Sequence, residues 1–318
     1  MSTRPDLDGG RGRVGYLGPA GTFSEEALLA SAVEDVVEPV AMASIYDTVM
    51  ALRAGEVDWA IVPIENSLEG SINVTLDLLV EEADGVAIVG EALLRVSHSL
   101  IGTAAVPLEQ IDTVLTHPQV PGQCTVFLRG ELAQARVVPA ASTAEAVRTV
   151  VAEGRPGQAA LGTPLAARIY GGTVIREGVE DRDDNETRFV WLAGDGAEAP
   201  PLRDAGPSEW KTSLVFWGAG ADRPGWLVRC LDEFARREIN LTKIESRPRR
   251  KRLGSYMFFA DLAGALEDQP VAEALAGVRS MCEEMHVLGS YGAAADGSSP
   301  ERKAEPGAPS AASRQRPR

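Results

Sequence analysis

The stretch from Val57 to Glu82 constrains the fold of this chain most strongly. The apolar run Trp59-Ala60-Ile61-Val62 reads as a buried strand, and Ile72-Asn73-Val74-Thr75-Leu76-Asp77-Leu78-Leu79-Val80 reads as an amphipathic helix. Between them, Pro63-Ile64-Glu65-Asn66-Ser67-Leu68-Glu69-Gly70-Ser71 places carboxylate, amide, hydroxyl and glycine groups where a strand ends and a helix begins. In an open α/β sheet, small ligands bind at such junctions. A helix N-terminus also offers free N–H groups and a positive dipole end to a carboxylate or phosphate. A capped turn that binds nothing is the plain alternative.

The same alternation runs through residues 13–193. Val14-Gly15-Tyr16-Leu17 reads as a strand, and Ser24 can cap a short helix with Glu25 and Glu26 in its first turn. Ser44 with Asp47, and Ser142 with Glu145, form capping-box-like helix starts. The β-rich run Val86 to Ile101 can carry the chain into a second lobe, about 94–170, and a cleft between lobes is a natural ligand site. The Gly/Ala/Pro-rich stretch 194–209 reads as an interdomain linker. Residues 210–291 then read β-α-β-β-α-β, a ferredoxin-like unit, with Pro224 at the first position of its first helix and a hairpin around the basic run Arg247 to Arg252. Residues 1–12 read as a loose arm and 292–318 as a disordered tail.

With 46 acids against 31 bases, the net charge of −15 argues against nucleic acid or an anionic membrane as partner, while leaving room for a locally positive site that takes a small anion. Cys124, Cys230 and Cys282 are scattered and form no C-x-x-C pair, so neither a disulfide framework nor a zinc site is expected. There is no signal-peptide core and no apolar stretch long enough to cross a bilayer, so a reducing cytoplasm is the expected setting.

Three further segments concentrate polar chemistry. Gly18-Pro19-Ala20-Gly21-Thr22-Phe23-Ser24 joins a strand to a helix and is neither a P-loop nor a dinucleotide fingerprint; it is either a ligand-facing or a structural turn. Thr116-His117-Pro118-Gln119-Val120-Pro121-Gly122-Gln123-Cys124 offers His117 as an acid–base group or as part of a capped turn, and Gln123 as an amide aimed at a cleft. Asp183-Asp184-Asn185-Glu186-Thr187-Arg188-Phe189 runs from an acidic turn into an apolar strand. There Arg188 is suited to a bidentate carboxylate contact, or is an ordinary surface arginine.

Taken in order, the Gly18–Ser24 turn, Ile64-Glu65-Asn66-Ser67 with Gly70, His117-Pro118-Gln119 with Gln123-Cys124, and Thr187-Arg188-Phe189 resemble the prephenate dehydratases. The small domain, with Glu245-Ser246-Arg247-Pro248, resembles the ACT regulatory domain of that family. The resemblance spans about 13–291 and implies an α/β fold: a two-lobed, periplasmic-binding-protein-like catalytic domain followed by the ferredoxin-like ACT domain, with no fused chorismate mutase. It implies conversion of prephenate to phenylpyruvate, water and carbon dioxide without metal or other cofactor. By the same resemblance Thr187 is the proton donor, and Asn66, Ser67, Thr116 and Gln123 form the polar wall. Arg188 is the carboxylate clamp, Phe189 packs the ring or the strand behind it, and Thr22 and Ser71 are lesser contacts.

The ACT resemblance implies phenylalanine as effector, bound between subunits of a dimer or tetramer by Gly225, Trp226, Leu227, Glu245, Ser246, Arg247 and Pro248. The family often has Gly-Ala-Leu where this chain has Gly225-Trp226-Leu227, so Trp226 either reshapes the effector pocket or anchors a subunit interface. Glu65, beside a dianionic substrate, needs a proton or a structural partner. An arogenate dehydratase and a non-catalytic amino-acid sensor are the competing readings.

Overall fold

A computed structural model describes residues 11–33, 35–203, 209–218, 223–249 and 254–294. The expected N-terminal arm up to residue 10, the tail beyond 294, linker residues 204–208 and the tip of the basic hairpin lie outside the described residues.

In chain order the first lobe contains β1 (Gly12–Leu17), α1 (Phe23–Ser31), β2 (Val37–Met42), α2 (Ile45–Arg53), β3 (Trp59–Asn66), β4 (Gly70–Ser71), α3 (Asn73–Glu81) and β5 (Val86–Arg95). The second contains β6 (Ser99–Gly102), β7 (Thr113–Thr116), α4 (Val120–Gln123), α5 (Thr125–Gly130), β8 (Arg136–Pro139), α6 (Thr143–Glu153), β9 (Gln158–Gly162), α7 (Pro164–Tyr170) and β10 (Thr173–Arg176). The chain then returns as β11 (Glu186–Gly194). The small domain comprises β12 (Trp210–Trp217), α8 (Trp226–Ala235), β13 (Leu241–Pro248), β14 (Tyr256–Ala263), α9 (Gln269–Met281) and β15 (Glu284–Gly292).

Three sheets result. The first runs β2-β1-β3-β11-β5, with β4 added to β3; the second runs β10-β6-β9-β7-β8; the third runs β13-β14-β12-β15. The second sheet closes with β10, so the return lies in residues 177–185, later than the expected position near residue 170. The reason is that β10 still pairs antiparallel with β6. Two segments therefore join the lobes, and they hold each other: Val96 N donates to Asn185 O at 2.8 Å, and Val179 N to His98 O at 3.0 Å.

Local chemistry sets the helix starts. Ser44 accepts from Asp47 N and Ser142 from Glu145 N, both at 3.0 Å, as the capping pairs predict. In α1 the cap is Thr22, not Ser24, because Thr22 holds the extended backbone that a cap requires. In the small domain Gly225, with φ of +79°, occupies the cap, so Pro224 lies just before the helix instead of inside it. The expected linker is half structured: Val33 N donates to Pro201 O at 2.9 Å, Arg203 N to Ser31 O at 2.8 Å, and Trp59 Nε1 to Glu198 O at 2.9 Å.

The lobes also touch at the Gly18–Ser24 turn. Thr163 Oγ1 and Tyr170 OH, both from the second lobe, donate to Gly21 O and Ala20 O at 2.7 Å. Gly21 has φ of +87°, and a Cβ there would stand 2.8 Å from Ala166. The small domain buries one face of its sheet under α8 and α9. The other face, with Val215, Trp217, Phe259 and Tyr291, forms one core with Leu52, Leu76, Ile88 and Val190 of the first lobe. The approach is so close that a Cβ on Gly289 would meet Ile88 O at 2.1 Å.

Gly21→Ala combines left-handed backbone strain with a collision against α7. It is expected to lower the free energy of unfolding by about 2 kcal/mol or more, read from urea denaturation.

Candidate active site

The centre of the site is a cross-strand pair. β11 runs antiparallel to β3 with Thr187 opposite Asn66. Asn66 Oδ1 accepts two backbone amides, Leu68 N and Glu69 N, each at 2.9 Å. That fixes the amide, so Nδ2 must point the other way, where it donates to Thr187 Oγ1 at 2.9 Å and Asn185 Oδ1 at 2.8 Å. Thr187 therefore accepts from Asn66, and its own hydroxyl proton stays available for donation. Ser67 secures the same turn: its Oγ accepts from Glu186 N at 3.0 Å and donates to Asp184 O at 3.3 Å.

Gln123 reaches this centre from the second lobe. Its Oε1 accepts from Asn185 Nδ2 at 3.3 Å and lies 3.0 Å from His98 Nε2. Burial pushes His98 below the ordinary histidine range, against the hydrogen bond to Gln123 and the charge of Glu180, which favours the neutral ring. A cavity of about 320 Å³ opens here, lined by Leu68, Glu69, Gln119, Gln123, Arg182 and Asn185 among others. Arg182 is the cation on this lining, paired with Asp184 at 2.6 Å. A larger cavity of about 650 Å³ lies away from this centre, between α1, β5 and the end of β15.

Other predicted site residues lie elsewhere. Arg188 is not a carboxylate clamp in the cleft. Strand alternation sends it to the face opposite Thr187, where it is 8 % exposed. Its guanidinium donates to Glu91 at 2.7 Å, Asp261 at 2.6 Å and Tyr291 at 2.8 Å. Burial works against the charge there, but Tyr291, Asp261 and Glu91 outweigh it and raise the pKa. Lys211 joins the cluster on Glu91 at 2.7 Å.

Glu65 has the structural partners it needed, Lys243 at 3.1 Å and Arg188 at 3.4 Å. Ser71 bonds Lys243 and Glu245 instead of facing the cleft. The Thr116 hydroxyl is taken up by Leu161 O at 3.1 Å, and Thr22 Oγ1 by Leu17 O at 2.8 Å. Phe189 is buried with Tyr16, Trp59 and Trp191 behind the site. His117 accepts from Gln119 N at 3.4 Å, as in a capped turn. Cys124 packs as a small hydrophobe, its thiol pushed up to about 12 by burial.

The strand–helix junction around residues 63–73 also differs from the simple turn expected. β4 folds back on β3 as a hairpin, so Asn66 and Ser67 are separated from the start of α3. A cation occupies that helix start: Arg247 is bidentate on Asp77, at 2.7 and 2.9 Å, and also bonds Asn73. Glu245 and Arg247 thus join the two domains, while Ser246 and Pro248, one residue out of phase on β13, are exposed. Trp226 does not face outward. It is 3 % exposed in the small domain's own core, with Nε1 donating to Met281 O at 2.9 Å, and Leu227 packs against the same core.

Sequence reasoning missed His98 and Asn185. Asn185 stood inside a motif already singled out, whereas a lone histidine in a β-rich run gave no signal.

The fold is that of a two-lobed α/β binding domain carrying an ACT-type regulatory domain, with amides and one hydroxyl converging between the lobes. The prephenate dehydratase family model matches residues 14–197 and the ACT domain model residues 216–279. A prephenate dehydratase of Mycolicibacterium vanbaalenii is 39% identical over 293 residues, covering 87% of this chain and 90% of the relative. The crystal structure of the Arthrobacter aurescens prephenate dehydratase in complex with L-Phe superposes with a TM-score of 0.77 at 35% identity, covering 88% and 89% of the two chains. GqqA, described as a quorum-quenching acylase, superposes with a TM-score of 0.77 at 29% identity, covering 89% and 98%. The chain belongs to the prephenate dehydratase family, with an ACT domain at its C-terminal side.

Asp261→Ala leaves Arg188 without one of its buried partners. It is expected to cost about 3–5 kcal/mol of unfolding free energy, measured by chemical denaturation, with the loss greater than for the exposed pair partner Asp184→Ala.

Proposed function

We propose that Thr187 is the general acid of a prephenate dehydratase reaction in the interlobe cleft. The observation that carries this reading is the fixed Asn66 amide donating to Thr187 Oγ1, which leaves the threonine proton to point at substrate. As the ring carboxylate departs as carbon dioxide, the electron pair of that C–C bond enters the ring and expels the ring hydroxyl, which takes a proton and leaves as water. Aromatisation drives the step. The task of the protein is to orient the ring, hydrogen-bond the leaving oxygen and limit water. Gln123 is the second donor at this wall, and Arg182 is the cation on the cavity lining for a substrate carboxylate. Ser67 acts by holding residues 184–186, and Thr116, Thr22 and Ser71 act structurally.

An acylase reading, prompted by GqqA, needs a nucleophile beside a base. The Thr187 hydroxyl meets the Asn66 amide instead, which favours the dehydratase. Thr187→Ala is expected to lower kcat on prephenate by about 10²–10⁴-fold with KM little changed. Wild-type-like turnover in that variant would refute the assignment.

Phenylalanine is proposed as effector and ACT-mediated self-association as its setting, supported by the L-Phe complex of the Arthrobacter relative. β13 is an edge strand with Thr242, Ile244, Ser246 and Pro248 exposed, which suits pairing with a second copy near the Gly225 turn. Cytoplasmic placement belongs to the same reading, supported by three free thiols. Titrating phenylalanine into the assay is expected to change prephenate turnover, and a flat response would remove this effector.

A further inference from the structure

We propose that His98 and Asn185 are positioning residues that lock the Gln123 amide with its NH2 group turned into the cleft. The proposal rests on the dehydratase reading for its chemistry, but the order of the hydrogen bonds follows from the structure itself.

The order of donors and acceptors is set at the backbone. Leu68 N and Glu69 N both donate to Asn66 Oδ1, so Asn66 Nδ2 faces Asn185 and Thr187. Asn185 must then present Oδ1 to Asn66, which turns its own Nδ2 toward Gln123 at 3.3 Å. A donor there requires Gln123 to present Oε1. With Gln123 Oε1 also 3.0 Å from His98 Nε2, the histidine nitrogen has to carry the proton. Any flip of Gln123 would set its NH2 against the NH2 of Asn185. Two donors therefore converge on Gln123 Oε1, and its two N–H groups are left for the cavity that Gln123 lines.

The surroundings of His98 agree. The ring is 1 % exposed, and Nδ1 is buried with no hydrogen-bond partner, which suits the bare nitrogen of the Nε2–H tautomer. Phe23 meets the ring edge-on, with centroids 5.4 Å apart. The His98 backbone is held by Glu180 Oε2 at 2.8 Å and by Val179 N at 3.0 Å. His98 lies on one interlobe crossover and Asn185 on the other, while Gln123 comes from the second lobe and Asn66 and Thr187 from the first. The relay thus ties the donor orientation at Thr187 to the relative placement of the lobes.

The test combines kinetics with spectroscopy on the full-length enzyme. His98→Leu removes the donor and is expected to lower kcat/KM for prephenate about tenfold, the loss of one hydrogen bond of about 1.4 kcal/mol. His98→Gln, whose NH2 reaches a similar point, is expected to recover most of it. In a Gln123→Ala background, His98→Leu is expected to cost less than twofold, because its effect passes through Gln123. A full tenfold loss in that background would show a general structural role and overturn the proposal. Nitrogen-15 NMR of labelled wild-type protein is expected to show His98 as the neutral Nε2–H tautomer. An Nδ1–H or doubly protonated ring would overturn the relay whether or not the protein turns over prephenate. An inactive wild type showing the Nε2–H tautomer would refute the dehydratase reading while leaving the relay standing.

Discussion

The insertion of β11 between β3 and β5 is the constraint on which the rest depends. The strand returns from the second lobe and pairs antiparallel with both neighbours, Thr187 meeting Asn66 on one side and Leu94 on the other. Its register decides two things together. Thr187 comes to the carboxyl end of β3, where α/β sheets bind ligands. Arg188, one residue on, is sent to the opposite face and becomes the cation of a buried interdomain cluster.

That cluster gives the small domain more than an adjacent position. Asp261 and Tyr291 of the small domain hold the Arg188 guanidinium, and Ser213 bonds both of them at 2.5 and 2.7 Å. The shared apolar core around it buries Trp217, Phe259 and Tyr291 against the first lobe. The small-domain sheet is therefore tied to the residue next to Thr187 through packed, charged contacts that are costly to leave unpaired.

The hydrogen-bonded centre around Thr187 is built from neutral groups. Amides of Asn66, Asn185 and Gln123 order one another because each has one donor end and one acceptor end, and two backbone N–H groups set the direction at the start. His98 Nε2 lies 3.0 Å from Gln123 Oε1 at the end of this array, and burial lowers the pKa of its ring. In the proposed reaction this centre supplies the proton donors, while Arg182 is the cation on the cavity lining.

Much of this was legible in local chemistry. Ser44 with Asp47 and Ser142 with Glu145 announced two helix starts, and β-α-β-β-α-β patterning announced the small domain. The motif order identified the family, but Thr187 and Arg188, both expected at the substrate, lie on opposite faces of β11 by strand alternation. Other features depended on partners distant along the chain. Arg188 meets Glu91 and Asp261, Arg247 meets Asp77, and His98 meets Gln123. The sequence by itself determined the elements, their capping and the donor groups, because these depend on neighbours within a few residues. Only the tertiary structure decided which donors converge between the lobes, that Trp226 is core, and that Glu245 and Arg247 join domains. Burial and hydrogen-bond direction arise only when remote segments pack.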